Sequence, residues 1–158
     1  MKIKKIIFCV SILTTSFIAK AQDVKHTFGV GFQSSFPIYG LSAKYAITEN
    51  SVVQATIAPF SSGAAAINFY GGRYMYRFIN DNSQNLEPYV FGGAGLITFS
   101  FAKTGYNFVS YSAGAGVEYI AAGTLGLSAD LGYGKFSVTN DAGVAGIFLG
   151  VGLHYYIK

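Results

Sequence analysis

Hydrophobic and polar residues alternate along most of this chain with a period of two. Leu125, Leu127, Ala129, Leu131 and Tyr133 occupy one set of positions, and Gly126, Ser128, Asp130, Gly132 and Gly134 the other. Successive side chains of a strand point to opposite faces, so this segment has an apolar, aromatic face and a small or charged face. The pattern predicts strands over about 26–36, 38–48, 51–59, 67–78, 87–99, 108–120, 125–136 and 143–156. Phe28, Val30 and Phe32 share a face in the first, opposite Gly29, Gly31 and Gln33. Tyr70, Tyr74, Tyr76 and Phe78 oppose Gly71, Arg73, Met75 and Arg77 in the fourth. The glycines Gly92, Gly93 and Gly95 leave the facing of the fifth strand open. Glu49-Asn50, the polar run 80–85 and Ala121–Thr124 read as turns. Segments 33–37, 60–66, 100–107 and 137–142 read as short loops.

Two solvents could suit a two-faced strand. Here the small and charged face needs an enclosed interior and the greasy face an apolar surrounding. A closed barrel in lipid satisfies both. Strands of about ten residues cross a bilayer at a tilt of about 45°. The expectation is an all-β fold, an eight-stranded antiparallel transmembrane β-barrel. An even strand count puts both ends on one side, the periplasm, with 33–37, 60–66, 100–107 and 137–142 facing outward. A soluble secreted barrel would need the opposite arrangement, with apolar residues inside.

Composition agrees with this reading. Only 11% of the 158 residues are charged, well below the quarter or so of a globular domain, as suits a lipid-facing wall. No tryptophan is present, but 12 tyrosines and 14 phenylalanines are, and tyrosines near strand ends suit membrane interfaces. The formal charge of +4 comes from Lys2, Lys4, Lys5 and Lys20. Residues 22–158 are near neutral, which gives no reason to expect a nucleic-acid partner.

The first residues have the parts of a signal peptide. Lys2, Lys4 and Lys5 form a basic start, 6–19 an apolar stretch, and Ala19-Lys20-Ala21 a small-x-small cleavage site. The expected division is a signal peptide at 1–21, cleaved on export, and a barrel domain at 22–158. Cys9, the only cysteine, falls in the leader and is badly placed for a lipoprotein. The mature chain would then hold neither disulfide nor thiol metal site.

The segment Glu87-Pro88-Tyr89-Val90-Phe91-Gly92-Gly93-Ala94-Gly95 and the end Gly150-Val151-Gly152-Leu153-His154-Tyr155-Tyr156 resemble the small outer-membrane barrels of diderm bacteria, the OmpA/OmpX-like and opacity-type group. The resemblance covers the whole mature chain. It implies residence in the cell outer membrane, outer-membrane lipid as surroundings, and the barrel assembly machinery as a partner in biogenesis. Members commonly end on an aromatic residue, whereas this sequence ends Tyr155-Tyr156-Ile157-Lys158. The motifs mark the fold well and the activity poorly.

Lys44, Arg73, Arg77, Glu118, Asp130 and His154 fall on inward positions. Charges in a narrow barrel must be paired and hydrogen-bonded, so these residues are the expected interior polar network. The first expectation is a structural or minor surface role with the interior filled. A narrow pore or small-solute transporter is the alternative, and a lipid-modifying enzyme a further one. Against the enzyme, His26 and His154 both fall near the periplasmic rim, and neither starts a His-x-Ser pair. Gly92-Gly93-Ala94-Gly95 lacks the Lys-Ser/Thr pair and the helix of a phosphate loop. Asp81 among asparagines lacks the ligand density of a calcium loop. No catalytic residue, cofactor or metal is expected.

Overall fold

The computed structural model describes residues 28–35, 38–62, 65–79, 85–101, 104–138 and 143–157. The expected leader 1–21, with Cys9, and also His26 and Asp81, lie outside them. Eight strands follow in order: β1 (Phe28–Ser35), β2 (Ile38–Ala46), β3 (Ser51–Ser62), β4 (Ala65–Arg77), β5 (Leu86–Phe101), β6 (Thr104–Ala121), β7 (Leu125–Val138) and β8 (Gly143–Ile157). Each pairs antiparallel with its sequence neighbour, and β1 closes on β8 from Phe28↔Ile157 to Ser35↔Gly150. The all-β, closed eight-stranded barrel is as the alternation predicts.

The period of two sets the facing of every strand. On β7, Leu127, Leu131 and Tyr133 are exposed on the outside, while Ser128 and Asp130 are buried within. Val30, Phe32, Leu41, Tyr45, Ile57, Tyr74, Val117, Val151 and Leu153 are likewise exposed. A soluble fold hides such residues in its centre. Here the centre holds Lys44, Arg73, Arg77, Glu118, Asp130 and His154 instead.

β5 resolves the facing that its glycines obscured. Tyr89 and Phe91 point inward and are buried, while Val90 and Leu96 point outward. The lumen is therefore not filled by small and charged residues alone. Phe69, Met75, Tyr89, Phe91, Phe148 and Tyr156 are buried in it, with Phe91 and Phe148 centroids 6.2 Å apart.

Three expected loops are largely strand. The segment 33–37 contributes the pairs Gln33↔Gly40, Ser34↔Tyr39 and Ser35↔Ile38. The segment 60–66 contributes the pairs Phe60↔Ile67, Ser61↔Ala66 and Ser62↔Ala65. The segment 100–107 contributes Phe99↔Tyr106, Ser100↔Gly105 and Phe101↔Thr104. Ser, Gly and Ala weaken strand propensity, but once an antiparallel register is set the ladder continues for as long as both backbones run on. Residue 63–64, 102–103 and 139–142 placements lie outside the described set.

The end of the barrel carrying Phe28 and Ile157, here the terminal end, is closed by tight turns. Ala122 (φ 50°) and Gly123 (φ 69°) form the centre of the β6–β7 turn, the positive-φ pair of a type I′ hairpin turn. Turns also tie neighbouring strands together: Tyr156 donates its N–H to Thr124 O (2.7 Å), Ile120 to Asn85 O (2.8 Å) and Arg77 to Asn50 O (2.7 Å). At the opposite, distal end the strands stop at different heights.

Candidate functional site

Eight strands leave a lumen only wide enough for side chains to fill. Within it the six inward polar residues singled out in the sequence are each buried, and they fall into three groups. The first crosses the barrel. β2 and β6 stand four strands apart in a ring of eight, on opposite walls. Lys44 of β2 reaches Glu118 of β6 with Nζ–Oε1 of 2.8 Å, and both side chains are 1% exposed. Tyr156 donates its hydroxyl to the same Glu118 oxygen at 2.9 Å. Glycine makes room for this: a Cβ at Gly126 would lie 2.5 Å from Glu118 Oε1 and 2.7 Å from the Tyr156 ring.

The second group centres on Asp130 of β7. Its Oδ2 accepts hydrogen bonds from Arg73 Nη1 (2.6 Å), Gln33 Nε2 (2.9 Å) and Ser35 Oγ (3.1 Å). Its Oδ1 accepts the Tyr89 hydroxyl. Both carboxylate oxygens are thus satisfied, from three other strands (β1, β4 and β5). Arg73 also donates Nε to Gln54 Oε1 at 2.6 Å, and its guanidinium lies 4.8 Å from the Phe91 ring centroid, within cation–π range. Gln54 continues the chain by donating to Ser42 Oγ at 2.5 Å. Ser42 Oγ in turn pairs with His154 Nε2 at 3.0 Å.

The third group sits at the terminal rim. Arg77 Nη1 bonds Glu87 Oε2 at 3.1 Å and Nη2 bonds the Glu49 carbonyl at 2.8 Å. Glu87 keeps 13% side-chain exposure, so this pair meets solvent while the other two do not. Three cations thus face three anions across the described lumen, as burial of charge demands.

Sequence reasoning missed several members. Glu87 and Tyr89 were hidden because glycines blurred the β5 pattern. Extending the period of two back from Phe91 puts both inside. Gln33 had an inward position but no charge to draw attention, and Gln54, Ser35 and Ser42 were passed over for the same reason. Tyr156 entered only as part of the closing Tyr155-Tyr156-Ile157-Lys158, whereas it is buried against Glu118.

The Ser42–His154 contact resembles a nucleophile–base pair in distance. Its surroundings do not extend it. Among the described residues His154 Nδ1 has no hydrogen-bond partner, and none of them is an acid that orients the ring as a nucleophile–base–acid arrangement requires. Ser42 Oγ already accepts from Gln54, and His154 is fully buried. Among the described residues, no three His, Cys, Asp or Glu side chains cluster as metal ligands.

No protein-family model matches this sequence, and no curated protein sequence matches it. Solved structures do. The N-terminal β-barrel domain of OprF from Pseudomonas aeruginosa aligns with 81% of this chain and 95% of its own, at 18% identity and a TM-score of 0.53. Neisserial surface protein A aligns with 82% of this chain and 93% of its own, at 17% identity and a TM-score of 0.54. At such identities the likeness is one of fold.

Proposed function

We propose that this chain is an integral outer-membrane protein, a barrel anchored in lipid by its greasy outer wall and sealed inside by ion pairs. Its role on this reading is structural or that of a surface platform rather than a conduit. One observation carries the proposal. The Lys44–Glu118 pair spans the lumen with both partners buried, while Leu127, Leu131, Leu149 and Val151 point outward and are exposed. Water around that wall would strand a continuous apolar surface far larger than the patches of ordinary monomers. Hydrocarbon removes the penalty, and a closed barrel leaves its spanning backbone satisfied. The fold likeness to the OprF barrel domain and to a neisserial surface protein supports the same reading.

Export through the inner membrane by a cleaved leader at 1–21 belongs to this proposal, as does insertion by the barrel assembly machinery. So does the orientation, with the terminal end toward the periplasm and the distal end toward the outside. We assign no catalytic role to Ser42 or His154, because both are buried and Ser42 Oγ already accepts from Gln54.

The test uses the full chain expressed in a diderm host. It should fractionate with the outer membrane and run as a compact band that shifts on boiling. In planar bilayers the purified barrel should give no steady channel. Steady conductance that changes in Lys44→Ala would replace the sealed reading with the pore. Recovery in aqueous buffer without detergent would overturn the membrane reading itself.

A further inference from the structure

The inward face of this barrel changes chemistry along its axis. In the terminal half it carries the ion pairs and the amides that bond them. Toward the distal end the same alternation puts glycines and then apolar rings inside. Phe60, Ile67, Phe99 and Tyr106 form one cross-strand row over β3 to β6. Each stands an even number of positions from a buried inward residue of its own strand (Thr56, Phe69, Phe91 and Ser110), so all four face the lumen. Phe136 and Val144 continue the layer on β7 and β8, paired with each other and, through Phe136, with Ser110.

This layer is not packed shut. An inward side chain of a filled lumen is buried, as Met75 is at 0% exposure. Phe60 is 64% exposed, Tyr106 54% and Val144 71%. A Cβ placed on Gly146, also inward on β8, would meet no atom within 4 Å. The base, by contrast, is closed. Phe148 is buried and neighbours Phe91, whose ring lies against the Arg73 guanidinium. The distal lumen is a cup with an open mouth and an aromatic floor.

Size and charge select the occupant. An eight-stranded interior takes side chains or one small ligand, and a helix about 10–12 Å across with its side chains does not enter. Water gains no partners from apolar walls. A charged ligand finds no counter-ion. Among the described residues no inward side chain of the cup is charged, and Lys44, Arg73 and Arg77 below it each face an acid. One polar group lies at the base. Ser110 is 0% exposed and its Oγ has no hydrogen-bond partner among the described residues. It converges with the Phe69 ring edge over Gly95, where an added Cβ would lie 2.8 Å from Phe69 Cζ and 2.9 Å from Ser110 Oγ. A ligand tip that moves the Phe69 ring aside gives this hydroxyl its missing partner, and burial without one is costly.

We propose that the distal lumen is a binding cup for a small, uncharged, largely apolar molecule with one hydrogen-bonding group at its leading end, held by the rings of β3 to β8 and anchored on Ser110. Ligand pockets are commonly built this way, apolar with a few placed polar groups. The ligand enters along the barrel axis and goes no further, because the Arg73–Asp130 network closes the lumen below. The barrel then captures rather than conducts.

The inference rests on the proposed membrane reading, so both are measured on one sample, the protein extracted from the outer membrane of a diderm host into nanodiscs of deuterated lipid. Absence of heat-modifiable mobility would condemn the membrane reading. Side-chain NMR signals are then followed during titration with 1-naphthol, a neutral ring system with one hydroxyl. Ile97 and Phe108 pair with each other and face the cup, while the neighbouring pair Leu96 and Val109 faces lipid. Saturable shifts are expected at Ile97 and Phe108, and only linear ones at Leu96 and Val109. Naphthyl phosphate should leave Ile97 and Phe108 unmoved. Ser110→Ala should weaken naphthol binding about two- to tenfold and leave naphthalene binding unchanged. Gly146→Trp, which fills the open space, should abolish the saturable shifts with mobility retained. Normal mobility without saturable shifts would overturn the inference, as would equal saturation on both faces. Equal binding of naphthyl phosphate, or full-strength binding of naphthol by Ser110→Ala, would overturn the assigned chemistry. Contacts from lipid methylenes to Ile97 before naphthol is added would overturn it in favour of an acyl chain.

Discussion

The terminal and distal halves of this barrel share one alternation but are held together differently. In the terminal half every strand has a neighbour on both sides, turns cross-link adjacent hairpins, and the lumen is bridged by Lys44–Glu118 and braced by Asp130. In the distal half β1 and β2 stop short, β8 and β3 run on with one edge each unpaired among the described residues, and the described interior is aromatic rather than ionic. The difference shows that closure and polarity go together. Where the wall is complete, water is excluded and charges must be matched. Where it is not, the described lumen is lined by apolar rings.

The largest expected effect lies in the terminal half. Asp130→Ala leaves the buried Arg73 guanidinium without its anion and releases Tyr89, Gln33 and Ser35. Breaking one side of such a pair costs about 3–5 kcal/mol, to be read from urea unfolding in detergent micelles. If Asp130→Ala unfolds no earlier than the parent, the interior network does not hold the barrel. A replacement of Lys44 and Glu118 together by Met and Leu should recover most of the loss shown by Lys44→Met alone.

A second contrast compares heights on the outer wall. Leu131→Lys places a charge in the middle of the greasy band and should cost about 2–4 kcal/mol, whereas Ala145→Lys, outward near the distal end of β8, should cost only about 0–1 kcal/mol. Folding into lipid vesicles measures both. Equal penalties would mean that the two sites meet the same solvent. Next in size, Gly126→Val drives a methyl into Glu118 and Tyr156 and should cost about 1–3 kcal/mol by overpacking. The smallest effect is a gain. Ala122 holds φ 50° in its turn, so Ala122→Asn, which tolerates that conformation, should raise stability by about 1 kcal/mol, seen as a later unfolding midpoint.

Strand number and order, and the facing of every strand but β5, were legible in the sequence because the signal repeats from strand to strand, and each repeat is constrained by the same two environments. Arg73, Glu118 and Asp130 stood out since a charge on an inward position has few explanations. Their pairing was not legible. Lys44 meets Glu118 across 74 residues and Arg73 meets Asp130 across 57, and only strand stagger decides which inward side chains share a level. Neutral members such as Gln33 and Gln54 carry no signal on their own. Strand ends were the weakest part. Ser61, Ser62 and Gly105 read as loop by composition, yet are strand because their hairpin partners continue beside them. The β8 edge left unpaired among the described residues could not be foreseen, since it follows from β1 and β2 being shorter than β8 and β3.

Fluorescence quenching tests the two-solvent arrangement most directly. Residues 22–158 hold no cysteine, so in that segment a bimane label can be placed singly at Leu131→Cys, Val151→Cys or Ser128→Cys in vesicles containing brominated lipid. Labels at 131 and 151 should be quenched by the bromines and ignored by aqueous iodide, while a label at 128 should be reached by neither. Iodide quenching at 131 and 151 with no effect of bromine would put water against the greasy wall and contradict the account.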